Sequence, residues 1–371
     1  MLLPSGALGK GADQGFFSSS VHYISTIPAS HERKFQSTFK EISKMTPLPP
    51  LTVEVTRGPA VESSHLVHAV VMDGNGKIKA AYGNAKRLTY PRSSLKPLQA
   101  IALVESGAAD AFKFSDAEVA LACASHSGEE IHTTAVAALL KRIDCTENDL
   151  ECGAHPPIAA PCAPSAVLCN NCSGKHTGML TLGRFLKIPV KDYTNPTHGI
   201  QQKILGAISE MCGNNITPAI CGVDGCSAPN PGMPLEDLAR GLARLMNPSS
   251  FSDARQKACR RIVRAMSENP DYVAGTGRID TVLMRAAGGK IMSKGGAEAV
   301  NIAVIPEKDT VVALKAEDGN HRASQAALAG LLKMHDLTTP DVLEAVQPVA
   351  FPVLKNLRNI EVGVVRMGKT P

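Results

Sequence analysis

Ser93 and Lys96, in the stretch PRSSLKPLQ, stand three residues apart at the start of an apolar run. On a helix that spacing puts both side chains on one face. Pro97 suits a first turn and Leu98, Ile101 and Ala102 continue the period, so amide N–H groups and the helix dipole favour negative charge beside the pair. A serine hydroxyl is a weak nucleophile until a base takes its proton. A lysine whose ammonium is destabilised by burial or by a second cation can be that base.

Two further stretches extend the pattern. ALACASHSGEE runs from what reads as an apolar strand into Ser125, and IMSKGGAEAV places Lys294-Gly295-Gly296 just ahead of a strand expected to begin near Ala299. S-x-x-K, a short serine motif and K-x-G follow one another in the same order in penicillin-recognising serine hydrolases. Taken singly, each piece also fits a helix-start serine, a strand-end turn or a surface lysine. Together they suggest Ser93 with Lys96 and Ser125 with Lys294.

LCNNCSGKHTGML adds Cys172, Lys175 and His176, the last expected in the first turn of a helix. ICGVDGCSAPNPG, dense in Gly and Pro, reads as a loop that fixes Asp224 and Cys226. A Cys-x-x-Cys at 169 and 172 leaves three readings open: zinc knuckle, redox pair and active-site wall. A closed knuckle would need a second cluster, and Cys221 with Cys226 is spaced wider than the usual pair. A thioredoxin-like pair lacks its βαβ surroundings.

These residues need elements to hold them. The 371-residue chain, with 44% hydrophobic, 4% aromatic and 20% charged residues, has the composition of a globular protein and can bury a large core. With no Trp, that core is built from Val, Ile, Leu, Ala and Met, and stacking of nucleobases has little to work with. A net charge of +5 spread along the chain is no nucleic-acid footprint; KACRRIVRAM reads as the wet face of an amphipathic helix. No apolar run reaches membrane-span length and no secretory signal stands out, so the cytoplasm is the expected compartment and the ten cysteines are expected to be thiols.

Residues 1–46 are Ser- and Gly-rich without periodicity and are expected to be a disordered extension, with 47–371 as the catalytic domain. HLVHAVVMD and KIKAAYG around Gly74-Asn75-Gly76 form an expected hairpin; AVNIAVIPE and TVVALKAED around Lys308-Asp309 form another. Hairpins at opposite ends of the chain imply one antiparallel sheet assembled from both, with helices between, about 125–290. The leucines at 235, 238, 242 and 245 mark one such helix, and ASQAALAGLLKMHDL supplies another to cover the sheet. The expected class is α/β, of the layered α+β kind.

RSSLKP, CASHS, CNNCSGKH, VDGCSAPNP, AGTGR and the K-x-G at 294, taken together, resemble the asparaginase II family of L-asparaginases, the rhizobial thermolabile type. The resemblance runs from about Met45 to near the C-terminus. It implies hydrolysis of L-asparagine to L-aspartate and ammonia on a fold similar to serine β-lactamases and glutaminases. It also implies Ser93 and Ser125 as the reacting hydroxyls, with Lys96 and Lys294 as bases or proton shuttles. Arg92 would hold the substrate carboxylate and Asp224 its ammonium, with His176 near the substrate. Cys172, Lys175 and Cys226 would bind zinc, in a modulating role because lysine must lose its proton to ligate. A homodimer is implied by resemblance alone. The chain departs from the family in its short, Pro-rich HPPIAAPCAPSAVLC and in SAPNPG after Cys226. Of the serines, Ser93 is favoured for acylation because its motif lysine lies within one helical turn.

Two alternative readings compete with this one. One is a hydrolase of the same architecture acting on glutamine, a β-lactam or a peptide. The other is a non-catalytic protein stabilised by zinc on Cys169, Cys172, Cys221 and Cys226.

Overall fold

The computed structural model describes residues 48–155, 158 and 167–369. The expected extension at 1–46, Cys162 and most of the Pro-rich stretch before Leu168 lie outside the described residues.

One antiparallel sheet organises the rest. Its strands are β1 (Leu51–Arg57), β2 (Ala60–Asp73), β3 (Ile78–Tyr82), β4 (Met292–Gly296), β5 (Val300–Ile305), β6 (Thr310–Ala316), β7 (Val353–Lys355) and β8 (Glu361–Met367). The spatial order is β7-β8-β1-β2-β6-β5-β4, and β3 also pairs with β2. The 14-residue β2 is the seam. Its first half pairs with β1, its second half pairs with β3 on one edge, and β6 runs along Val67–Asp73 on the other. The sheet is thus built from both ends of the chain, and both expected hairpins form.

Successive β2 residues alternate between two apolar cores: Val70 and Met72 join the helical middle, while Ala69 and Val71 join the other face. A sheet covered on both faces makes its strands continuously apolar rather than alternating, as in VHAVVMD.

The longer helices are α1 (Asp116–Ala122), α2 (Glu130–Arg142), α3 (Ser173–Leu186), α4 (Gly199–Cys212), α5 (Leu235–Met246), α6 (Asp253–Glu268), α7 (Ile279–Ala286), α8 (His321–Met334) and α9 (Pro340–Ala350). The four leucines of α5 are fully buried, as their spacing requires. On α6, Ala258, Cys259, Ile262, Ala265 and Met266 face inward, while Arg261 and Arg264 pair with Asp110 and Asp116 at the surface. α8 lays Ala323, Ala326 and Ala327 on the sheet; a Cβ at its Gly330 would come 2.8 Å from Met367 Sδ.

Three local expectations are corrected. The segment before Ser125 is helix α1, not strand: Ser115 caps it in a capping box with Glu118, and its last turn is buried on every side, which erases the periodicity. The run after Ser93 is broken into a 3-10 turn (Arg92–Leu95) and two short helices, Lys96–Gln99 and Ile101–Glu105. Lys294 does not precede its strand but lies inside β4, which begins at Met292.

Candidate active site

Ser125 is reached just after α1 ends. Its backbone N–H donates to Val273 O at 2.9 Å, which fixes where its side chain starts. Lys96, 1% exposed at the first turn of its short helix, donates from Nζ to Ala124 O and, at 3.0 Å, to Ser125 Oγ. Lys294, equally buried on the edge strand β4, donates to Ser125 Oγ at 2.9 Å and to Gly295 O at 2.6 Å. The sequence pattern had suggested Ser93 with Lys96 and Ser125 with Lys294. In the structure both amines meet on Ser125.

Burial pushes the Lys294 ammonium down to about 7, with Lys96 and Arg278 adding to the effect and Asp280 opposing it. Cys123, against both lysines, is pushed up to about 12 by burial. A neutral amine, a hydroxyl and a second amine joined by hydrogen bonds can pass a proton at neutral pH.

Ser93 is half-buried, and its Oγ has no hydrogen-bond partner among the described residues. The residue before it, Arg92, holds φ +53, a left-handed conformation that non-glycine residues adopt only under constraint. Two contacts impose it: Arg92 N–H donates to Asn230 Oδ1 at 3.3 Å, and Arg92 Nε donates to Asp224 Oδ1 at 2.9 Å. β4 presses on the same turn, for a Cβ on Gly296 would lie 2.6 Å from Pro91 O and 3.2 Å from Ser93 N.

Asp224 is at the tip of a small ribbon formed by Cys221–Val223 and Pro229–Pro231, where Asp224 N–H donates to Ala228 O. The expected loop is therefore a hairpin. A guanidinium and a carboxylate stand together beside a free hydroxyl.

Behind this lies the cysteine cluster on the start of α3. Lys175 Nζ donates to Cys226 Sγ at 3.0 Å. The hydrogen bond with Cys172, followed by Lys175 and His176, holds the Cys226 thiol far below its ordinary value. Cys172 is pushed well up by that same contact and by burial. Burial opposes the Lys175 ammonium, but the neighbouring Cys226 and Cys172 sulfurs, Cys226 first, outweigh it and raise its value. His176 Nδ1 lies 2.6 Å from the Tyr193 hydroxyl, whose oxygen also accepts the Glu151 N–H at 3.0 Å, and the same ring interacts with Cys226.

The zinc set is tested by this chemistry. Among the described residues no three His, Cys, Asp or Glu side chains are grouped to hold a metal ion. The set implied by resemblance therefore depends on Lys175 as third donor beside Cys172 and Cys226. Two sulfur donors and an amine within one buried cluster suit a soft cation, provided Lys175 releases its proton. Cys169 is disulfide-bonded, which corrects the expectation of thiols throughout and removes a ligand from the rival four-cysteine site.

Sequence reasoning missed Asn230, Tyr193 and Asp280. Tyr193 had a faint signal, as one of five tyrosines in an aromatic-poor chain; Asn230 and Asp280 had none, because each acts only through chain pairing that the sequence does not display.

The family described as L-asparaginase II matches residues 53–367. No curated protein matches the chain. Among solved structures it is similar to a β-lactamase from Mycobacterium bovis, at 15% identity and TM-score 0.39 over 73% of this chain and 95% of that one. It is also similar to the D-alanine carboxypeptidase AmpC from Burkholderia cenocepacia, at 14% identity and TM-score 0.35 over 85% and 96%. Likeness at this level bears on neither detail nor chemistry.

Proposed function

Because the chain belongs to the L-asparaginase II family, and so to the asparaginase-type amidohydrolases, we propose that it hydrolyses L-asparagine to L-aspartate and ammonia. The observation that carries the reading is Ser125 Oγ held between Lys96 and Lys294, the first of which follows Ser93 by three residues.

Ser93 is the nucleophile, since a substrate can approach its half-exposed hydroxyl, whereas Ser125 is 7% exposed and bonded to both amines. Lys96 takes the Ser93 proton as Ser93 Oγ bonds to the amide carbon, and passes a proton through Ser125 to Lys294. The Ser93 N–H is one donor to the developing oxyanion. The C–N bond then breaks, and the proton returns along the relay to the leaving nitrogen, which departs as ammonia. Water attacks the ester, the same relay removes its proton, and aspartate and free Ser93 result.

Arg92 and Asp224 position the substrate. A free α-amino acid carries one carboxylate and one ammonium, and can divide this ion pair between them. Cys172, Lys175 and Cys226 would hold zinc, which would supply local positive charge beside the site. The homodimer and the cytoplasmic setting belong to this same reading.

The test is ammonia release from L-asparagine and, separately, L-glutamine. Release from asparagine with little from glutamine supports the assignment; release from neither overturns it.

A further inference from the structure

Lys294 is delivered to Ser125 by an edge strand, and edge strands have no neighbour on one side to hold them. β4 pairs with β5 through Met292–Gly296 and, among the described residues, has no strand beyond it in the sheet. Asp280, in the first turn of α7 and 2% exposed, occupies that open side. Its Oδ1 accepts the Ser293 hydroxyl at 2.7 Å and its Oδ2 accepts the Gly295 N–H at 2.8 Å. One carboxylate therefore grips the residues on both sides of Lys294. Strand alternation sends Ser293 and Lys294 to opposite faces, so the grip leaves the lysine directed at Ser125.

Both groups bonded to Asp280 are neutral. Its charge is not cancelled by the donors that bind it, and a buried charge left in this state is costly unless it acts on something. The ionisable groups whose electrostatic influence reaches Lys294 are Lys96, Arg278, Cys172, Cys123 and Asp280. Asp280 is the carboxylate in that set.

We propose that Asp280 is the positioning residue of Lys294: it clamps β4 so that the Lys294 amine meets Ser125, and it is the buried counter-charge against which that amine gains and loses a proton. Asp280 touches no reacting atom. The proposal rests on Lys294 having a place in the proton relay, and its test separates the two ideas.

Protein carrying 13C,15N-lysine would be titrated by NMR, with Lys294→Met to assign the resonance, for the unaltered chain, Asp280→Asn and Asp280→Glu. Removing the negative charge disfavours the ammonium, so Asp280→Asn is expected to move the Lys294 midpoint downward from about 7, by about one pH unit. The acid limb of kcat/KM on asparagine should move with it, while KM changes little. Asp280→Glu, which keeps the charge, should restore the midpoint. An Asp280→Asn protein whose Lys294 midpoint stays in place, with only thermal stability and kcat lowered, overturns the counter-charge role. A shifted midpoint with an unmoved rate limb upholds the link between Asp280 and Lys294 and overturns the place of Lys294 in the reaction. If Asp280→Asn does not fold, Ser293→Ala removes one anchor and keeps the charge. A several-fold loss of kcat with the lysine midpoint in place supports the clamp, and unchanged kcat overturns it.

Discussion

Lys96 Nζ bonds Ser125 Oγ at 3.0 Å across 29 residues, while the hydroxyl of Ser93, its partner in the S-x-x-K spacing, makes no hydrogen bond among the described residues. The spacing identifies who shares the site, and the fold decides who is bonded to whom. Ser93→Ala is therefore expected to lower kcat by at least about 10³-fold and Ser125→Ala by about 10²-fold, the usual range for losing a proton-transfer group. Mass spectrometry of protein treated with an electrophilic asparagine analogue should find the adduct on the Ser93 peptide. An adduct on Ser125 would exchange the two roles.

The pH profile follows from Lys294. Its ammonium is pushed down to about 7, chiefly by burial. The relay needs the uncharged amine, so kcat/KM should rise with pH through about 7 and level off above it. A rate that falls with rising pH across that range would contradict the assignment.

Arg92 and Asp224, 2.9 Å apart, should act on substrate capture more than on chemistry. Arg92→Gly suits the left-handed backbone but removes the guanidinium, so KM should rise at least about 10-fold, the cost of one charged hydrogen bond. Asp224→Asn should weaken aspartate binding comparably by calorimetry. Unaltered KM in both variants would remove the ion pair from the substrate site.

Cobalt tests the cysteine cluster with a signal that does not depend on turnover. If Cys172, Lys175 and Cys226 accept a divalent metal, Co²⁺ should give a near-ultraviolet sulfur-to-metal band that Cys226→Ser abolishes. Affinity should rise with pH, because Lys175 must first lose a proton that the neighbouring Cys226 favours keeping on it. A chelator should leave the fold intact, since Cys172 and Cys226 are already packed into the apolar core of the helical middle, which holds them with or without a metal.

Gly296 tests the contact between β4 and the Ser93 turn. An added Cβ would lie 2.6 Å from Pro91 O, a backbone atom with little freedom to retreat. Gly296→Ala should cost about 1–3 kcal/mol by overpacking and lower kcat through displacement of Lys294 or Ser93. Unchanged melting temperature and rate would show that the two elements yield easily.

Much of this site was legible in the sequence because hydroxyls, amines and thiols occur in short local patterns. The sheet was legible because each hairpin pairs neighbours around a turn. The helix before Ser125 was not, since burial on all sides removed the period that distinguishes helix from strand. Asp280 and Asn230 were illegible for a different reason: each binds backbone or hydroxyl groups remote in sequence, 13 residues for Asp280 with Ser293 and 138 for Asn230 with Arg92.

The seam strand β2 has a consequence for biosynthesis. Its partner β6 and the lysine of β4 are made more than two hundred residues after it, so a chain emerging from the ribosome carries β2 with one side open until late in synthesis. Pairings of such long separation form slowly, and an open apolar strand invites association with other chains. Shielding of that side by a chaperone, or a pause that lets the helical middle pack first, would raise yield without altering any residue of the finished enzyme.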